Sequence, residues 1–123
     1  MGESFRDLAV WQSSVESALA IYKLTADFPN SEKFGLVNQL RRAAVSVPSN
    51  IAEGYGRASR GEYVHFLGVA RGSNSEIETQ LVIARGLGFG SEGLLHEAEE
   101  SCKAVGVMLG RLMKSLKPAP AVP

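Results

Sequence analysis

Hydrophobic residues recur at steps of three and four along most of the chain, a spacing that places side chains on one face of an α-helix. The pattern is interrupted at Phe28-Pro29-Asn30, at the glycines beside Tyr55 and in the Gly-rich segment 86–90. It nowhere shows the period-2 alternation of a strand, and it predicts four amphipathic helices, over about residues 7–27, 34–57, 60–85 and 92–116. Short links make neighbouring helices antiparallel, so the chain is predicted to form an all-α, up-down-up-down four-helix bundle.

Residues suited to capping precede each predicted helix. Asp7 is a suitable N-cap for the first helix, and Asn30 or Ser31 for the second. Ser59 begins a capping box before the third helix, and Ser91 precedes the last. The first helix is predicted to bury Leu8, Trp11, Val15, Ala18, Leu19, Tyr22 and Ala26. The last helix has an a/d heptad seam of Leu95, Ala98, Cys102, Val105, Leu109, Leu112 and Leu116.

Length and composition indicate one ordinary globular domain. The chain has 123 residues, and we expect residues 1–117 to form the bundle and residues 118–123 a disordered Pro/Ala tail. The N-terminus lacks the basic and apolar regions of a signal peptide, and no apolar run is long enough to cross a membrane. The single cysteine, Cys102, allows no internal disulfide. We therefore expect a cytoplasmic protein that does not contact the membrane.

The charge is balanced overall but uneven along the chain. Formal net charge is zero, yet the segment 33–60 contains five basic residues against the single Glu53, with Glu32 just before it. Such a basic region is suited to contacting nucleic-acid phosphates. The predicted nucleic-acid-binding residues are Lys33, Arg41, Arg42, Arg57 and Arg60. The alternative is that these cations form solvated ion pairs or ion pairs between subunits.

The second predicted helix has features that packing alone does not require. Arg41 and Arg42 lie 100° apart on the helix, so one is expected to pair with a carboxylate while the other stays free for a partner. The candidate carboxylates are Glu53, Glu76 and Glu78. Pro48 should bend this helix, because it removes a backbone donor. In the third helix, Gly68 and Gly72 predict that something packs closely against them.

Motifs for metal binding and catalysis are incomplete. Glu62-x-x-His65 matches one half of the di-iron unit of ferritin-like bundles, which requires a second such unit and two further glutamates. The other histidine, His96, follows Glu92 at a different spacing. The glycine-rich segments follow helices rather than strands and lack the Gly-Lys-Ser/Thr of a P-loop. Cys102 lies on the apolar seam, where it is a core residue rather than a nucleophile. We expect no metal, no cofactor and no enzymatic activity.

Three segments of the chain resemble one protein family. They are Phe28-Pro29-x-x-Glu32-x-Phe34-Gly35-Leu36, the run QLRRAAVSVPSNIAEG at residues 39–54, and Gly72-Ser-x-x-Glu76-x-x-x-Gln80-Leu81. The sequence is similar to the bacterial four-helix-bundle proteins found in intervening sequences of 23S rRNA genes. That resemblance implies a ring-shaped homo-oligomer, a homopentamer, with no catalytic residues. It also implies RNA or ribosome binding, and a relation to accessory variability proteins of diversity-generating retroelements, which engage a reverse transcriptase and nucleic acid.

Two hypotheses for function follow from the residues and the resemblance together. The first is a non-catalytic, oligomeric helical bundle that binds rRNA or another nucleic acid through a basic surface around the second helix. The second is a ring-shaped adaptor that docks a partner enzyme such as a reverse transcriptase and makes no direct nucleic-acid contact. In the second hypothesis, the arginines form ion pairs between subunits.

Overall fold

The computed structural model describes residues 4–118, and four long helices account for most of them. The elements are α1 Ala9–Thr25, α2 Leu36–Tyr55, α3 Arg60–Leu87 and α4 Glu92–Ser115, with single turns of 3₁₀-helix at Phe5–Asp7 and Asn30–Glu32. Each helix packs against the next along the chain, and α1 closes the bundle against α4. No strand occurs in the described range, and the predicted all-α four-helix bundle is confirmed.

The predicted boundary between bundle and tail falls at the edge of the described range. α4 ends at Ser115, and of the predicted tail at 118–123 only Pro118 is described. The rest of that tail, like residues 1–3, lies outside the described residues. Between residues 4 and 118, no helix has both the length and the apolar character that crossing a bilayer requires.

The core lies between the four helices, and each helix contributes large apolar side chains to it. The largest fully buried ones include Ile21, Leu24, Leu40, Ile51, Leu67, Ile77, Leu81 and Leu109. The predicted seam of α4 is confirmed from Leu95 to Leu109, and Leu112 and Leu116 pack at its edge while partly exposed. Burial of each such side chain stabilises the bundle by roughly 1.5–3 kcal/mol.

The buried face of α1 differs from the predicted one. The residues that α1 buries are Val10, Ser14, Ser17, Ala20, Ile21, Leu24 and Thr25. Leu19 and Tyr22, which were predicted to face the core, are 63% and 41% exposed. The hydroxyls of Ser14 and Thr25 donate to backbone carbonyls three and four residues earlier, at 2.7 and 2.8 Å. Because each hydroxyl is satisfied within the helix, these residues pack as small core residues, which a count of apolar positions misses.

The predicted caps of α3 and α4 are confirmed. The Ser59 hydroxyl accepts from the backbone N–H of Glu62 at 3.1 Å, and the Ser91 hydroxyl accepts from that of Leu94 at 3.4 Å. Both serines have the extended backbone of an N-cap. Local residues therefore determine where these two helices begin.

The predicted caps of the first two helices are wrong. Asp7 lies inside the first 3₁₀ turn, and α1 begins without a side-chain cap. Asn30 and Ser31 lie inside the second 3₁₀ turn. The carboxylate of Glu32 instead accepts from the backbone N–H of Leu36 at 3.2 Å, at the start of α2. In both places a 3₁₀ turn separates the polar residue from the helix it was expected to cap.

Arg85 links the end of α3 to the start of α4. Its guanidinium donates to both carboxylate oxygens of Glu99, at 3.1 and 2.7 Å, and to both of Glu92, at 3.0 and 2.9 Å. Hydrogen bonding to Arg85 lowers the pKa of Glu99. The stabilisation from this ion pair is therefore present above the ordinary glutamate pKa and is lost as the pH falls through the lowered one. Because these charges are largely solvated, the contribution is small and sensitive to salt.

The glycines of α3 and α4 differ in how closely other atoms approach them. A Cβ at Gly72 would meet nothing within 4 Å, and one at Gly68 only Met113 Cε, at 3.9 Å. Within residues 4–118 nothing packs closely against these two glycines, so the predicted close contact stays a prediction for a neighbouring subunit. A Cβ at Gly106 would lie 3.2 Å from the side-chain nitrogen of Asn74, so α4 approaches α3 closely there.

Asn74 and Cys102 form a buried polar pair between α3 and α4. The Asn74 amide nitrogen donates to the Cys102 backbone carbonyl at 3.0 Å, and the Cys102 thiol donates to Asn74 Oδ1 at 3.2 Å. Burial raises the pKa of the Cys102 thiol to about 12, and the Glu78 carboxylate adds to the effect. Folding thus holds Cys102 as a neutral thiol.

We expect Cys102 in the folded protein to resist alkylation at mildly alkaline pH. The raised pKa leaves about 1000-fold less thiolate than a free cysteine has. The neutral thiol's contribution to the free energy of unfolding is complete below the unfolded pKa of 9.0. This contribution is lost as the pH rises from 9.0 to about 12. Iodoacetamide labelling with and without denaturant measures the difference. Equal rates in both conditions would show that the thiol is accessible in the folded state.

Candidate nucleic-acid interface

Arg41 is held in place by α1. Its Nε donates to the Thr25 hydroxyl at 2.9 Å, and one terminal nitrogen donates to the Tyr22 backbone carbonyl at 3.4 Å. The guanidinium carbon lies 4.5 Å from the centre of the Tyr22 ring, within the range of a cation–π interaction. The expected carboxylate partner is wrong for Arg41, since a hydroxyl, a carbonyl and an aromatic ring take that place. Arg41 therefore ties α2 to α1 while keeping its positive charge.

Arg42, its neighbour, is exposed on the outer side of α2. Within the described part of the chain it forms no ion pair. Glu53, one of the expected partners, instead pairs with Arg57 one turn along, at 3.4 Å. Of the two adjacent arginines, Arg41 is thus the anchored one and Arg42 the one with its charge in solvent.

Both arginines line a shallow groove of about 410 Å³ between α1 and α2, together with Tyr22, Asn38 and Val45. Among the described residues, no carboxylate lines this groove. The groove between α3 and α4 includes Glu78, and the one between α1 and α4 includes Glu97. The α1–α2 groove therefore presents positive charge without a nearby negative one in its walls. We name it the arginine groove.

The five basic residues predicted from the sequence do not form a single cluster. Lys33 precedes α2, with its ammonium 5.6 Å from the centre of the exposed Phe34 ring. Arg57 and Arg60 lie beyond the other end of α2, about 30 Å away at 1.5 Å per residue. Of these five residues, Arg41 and Arg42 share the arginine groove.

Hydrogen bonds between α2 and α3 set the register of these two helices. The Ser46 and Ser73 hydroxyls are 2.9 Å apart, and the Gln80 amide donates to Gln39 Oε1 at 3.4 Å. In this antiparallel register, Arg42 lies level with the exposed Glu76 on α3. These two side chains form no ion pair with each other in the described chain. Arg42, in the wall of the α1–α2 groove, and Glu76, on α3, are thus both exposed and without an ion pair among the described residues.

The half motif for di-iron binding does not point into the bundle. His65 is exposed, with its ring edge-on to Phe66 at a centroid distance of 5.3 Å. Among residues 4–118, no group of three or more histidine, cysteine or carboxylate side chains is placed to hold a metal ion.

The sequence of the arginine groove and of the bundle around it matches a known family model. The family is described as 23S rRNA-intervening sequence protein, and the match spans residues 6–111. The chain belongs to this family. The fold is similar to that of a solved protein of unknown function from the S23 ribosomal protein family of Bacteroides thetaiotaomicron. The identity is 21%, the TM-score is 0.77, and the alignment covers 86% of this chain and 99% of the other. No curated protein matches the chain.

For this 23S rRNA-intervening sequence protein, neither the family description nor the name of the Bacteroides protein states a catalytic activity. The structure also identifies residues around the basic side chains that the sequence left out. The sequence predicts that Tyr22 faces the core and predicts no role for Thr25. In the structure, both residues orient Arg41. The helical spacing of the third helix predicts that Phe66 faces inward, yet its ring lies under the guanidinium of Arg57 at 4.7 Å. No local sequence pattern links these pairs, because the partners lie in different elements of the chain.

Proposed function

We propose that this family member is a non-catalytic, oligomeric helical bundle that binds RNA or another nucleic acid through the arginine groove. The observation that carries the proposal is the exposed, unpaired charge of Arg42 next to the anchored Arg41, in a groove without carboxylates among its described residues. Phosphate contacts need cations that no protein carboxylate has already neutralised. The family's association with rRNA genes makes RNA the first ligand to test.

The groove suits a phosphate backbone better than a base. Asn38 and the two arginines supply hydrogen-bond donors, while the Tyr22 ring already carries the Arg41 guanidinium on its face. Arg41 is oriented before any ligand arrives, so it loses little side-chain entropy on binding. Several copies of the groove in an oligomer would add their contacts, which explains how a chain of zero net charge can bind a polyanion.

Arg42→Gln tests the proposal. We expect it to weaken binding to a blunt RNA duplex by about tenfold at low salt and to reduce the salt slope by about one phosphate contact, without changing stability. The matched control is Arg71→Gln, an exposed arginine of α3 that lines a groove containing Glu78. Fluorescence anisotropy over a salt series measures both the affinity for the RNA duplex and its salt slope. If the wild-type protein shows no salt-sensitive binding to RNA or DNA at low ionic strength, the proposal fails.

Arg41→Gln, unlike Arg42→Gln, should lower the stability of the protein. It removes hydrogen bonds to Thr25 and Tyr22 and the cation–π contact, so we expect the free energy of unfolding to fall by about 1–2 kcal/mol. Thermal unfolding of this variant beside Arg42→Gln measures the difference. A stable Arg41→Gln, or a destabilised Arg42→Gln, would contradict the division of roles between the two arginines.

The adaptor hypothesis is favoured by a different set of observations. Several large apolar side chains are exposed, and the most exposed are Leu19, Phe34, Val82 and Leu87. The open space beside Gly72 and the unpaired Arg42 and Glu76 would suit contact with another subunit of a ring, a homopentamer in this proposal. In that arrangement, the ring docks a partner enzyme and Arg42 closes the subunit interface.

Charge reversal at Arg42 separates the two hypotheses. If Arg42→Glu lowers the oligomer mass measured by light scattering, and the double variant that adds Glu76→Arg restores it, Arg42 closes the ring. If Arg42→Glu keeps the mass and loses RNA binding, the arginine contacts nucleic acid.

A further inference from the structure

The turn between α2 and α3 gathers aromatic and basic side chains from both helices. We name this cluster the aromatic corner, and its members are Tyr55, Arg57, Arg60, Tyr63, His65 and Phe66. We propose that the aromatic corner stacks unpaired bases, so that the protein prefers single-stranded to double-stranded nucleic acid. This inference rests on the proposed function and names the part of an RNA that would engage a second surface, outside the arginine groove.

Gly54 allows the corner to form. It is buried at the end of α2, and a Cβ there would lie 2.8 Å from Phe66 Cβ and 3.1 Å from Tyr63 Cδ1. The start of α3 therefore lies directly on the last turn of α2. The Tyr55 and Tyr63 rings meet edge to face, with centroids 6.0 Å apart and an interplanar angle of 88°. These contacts hold the rings in fixed orientations at the edge of the bundle.

Arg57 adds a planar cation to this aromatic surface. Its guanidinium lies 4.7 Å from the centre of the Phe66 ring, and the Glu53 carboxylate holds its Nε at 3.4 Å. The Arg57 side chain is 43% exposed. A guanidinium that lies over an aromatic ring and is partly exposed to solvent is a group on which a nucleobase can stack.

The surroundings favour a single strand over a duplex. In a duplex the base faces are covered by their neighbours, whereas an unpaired base presents a free π-face to Arg57. Arg60 is exposed at the first residue of α3, where it can meet a phosphate next to the stacked base. A Cβ at the neighbouring Gly61 would meet nothing within 4 Å, which leaves room for the strand. Since Glu53 already offsets the charge of Arg57, binding here should depend on salt less than binding in the arginine groove.

Two substitutions separate stacking from charge and from folding. Arg57→Lys keeps the positive charge but removes the planar guanidinium group. Phe66→Leu keeps an apolar side chain but removes the aromatic ring. We expect each to weaken binding of an unstructured RNA oligonucleotide by about 5- to 30-fold and to leave binding of the same sequence as a blunt duplex unchanged. Arg71→Lys is the matched control on the far side of α3. Thermal unfolding of each variant shows whether Phe66→Leu remains folded, and Arg57→Lys tests the inference independently of the core.

A strand of the same length with abasic sites provides the second measurement. The wild-type protein should bind it more weakly than the intact strand, and the Arg57→Lys variant should bind both equally. If the wild-type protein binds the single strand, the duplex and the abasic strand equally well, the inference is overturned. The proposed function still stands in that case if the binding is salt-sensitive and Arg42→Gln weakens it. If wild type binds none of them at low salt, both fail.

Discussion

Replacing Gly90 with alanine should lower the free energy of unfolding by about 2–4 kcal/mol, the largest loss we expect from a single methyl group in this protein. Gly90 has φ of 81°, which alanine tolerates poorly. A Cβ there would lie 2.6 Å from Leu24 Cδ1 and 3.0 Å from Phe28 Cε1. Because Leu24 is fully buried, neither it nor the link before α4 can move aside without disturbing the core.

Gly88→Ala is the matched control two residues earlier. Gly88 also has a positive φ, of 75°, but a Cβ there would meet nothing within 4 Å. We expect a loss of about 1 kcal/mol, from the backbone conformation alone. Urea unfolding of both variants isolates the cost of the steric contact with Leu24. Equal losses at Gly88 and Gly90 would show that the core around Leu24 adjusts freely.

Asn74→Ala should be the second most damaging change, with an expected loss of about 2–4 kcal/mol. Asn74 is 2% exposed and exchanges two hydrogen bonds with Cys102, so the change removes both bonds and leaves a small cavity between α3 and α4. The adjacent exposed Ser75→Ala serves as control and should change stability by less than about 0.5 kcal/mol.

A double-mutant cycle with Cys102→Ala isolates the hydrogen bond from the Cys102 thiol to Asn74 Oδ1, because the backbone carbonyl that accepts from Asn74 remains in the variant. We expect a coupling energy of about 1–2 kcal/mol between Asn74 and Cys102, measured by chemical denaturation of the four proteins. Additive losses would mean that the thiol and the Asn74 side chain act separately, and that the cost of Asn74→Ala comes from the cavity and from the lost hydrogen bond to the Cys102 carbonyl.

Local patterns sufficed to predict much of this fold. The heptad spacing of α4 and the serine caps of α3 and α4 depend on residues within a few positions of each other, and the structure confirms them. The buried face of α1 was not predictable in the same way. Ser14 and Thr25 are polar by composition but satisfy their hydroxyls inside the helix, so the core accepts them where the exposed Leu19 was expected.

The candidate site was only partly predictable, because its partners meet across helices. The sequence identifies Arg41 and Arg42 as an unusual pair, and the 100° between them predicts different roles. It does not show that Thr25 and the Tyr22 ring, on α1, anchor Arg41. The aromatic corner was missed for the same reason: Phe66 is predicted only as a core residue of α3 until Arg57 is placed over its ring.

The closure of the bundle between α1 and α4 has a consequence for the order in which the protein can fold. α1 is synthesised before α4, which provides part of its cover, and Leu24 of α1 meets Gly90 only after α3 has been synthesised. The α2–α3 hairpin, in contrast, can form as soon as both of its helices have emerged, since its contacts are closer in sequence. The part of the apolar face of α1 that packs on α4 therefore stays accessible to chaperones and to aggregation until synthesis reaches α4.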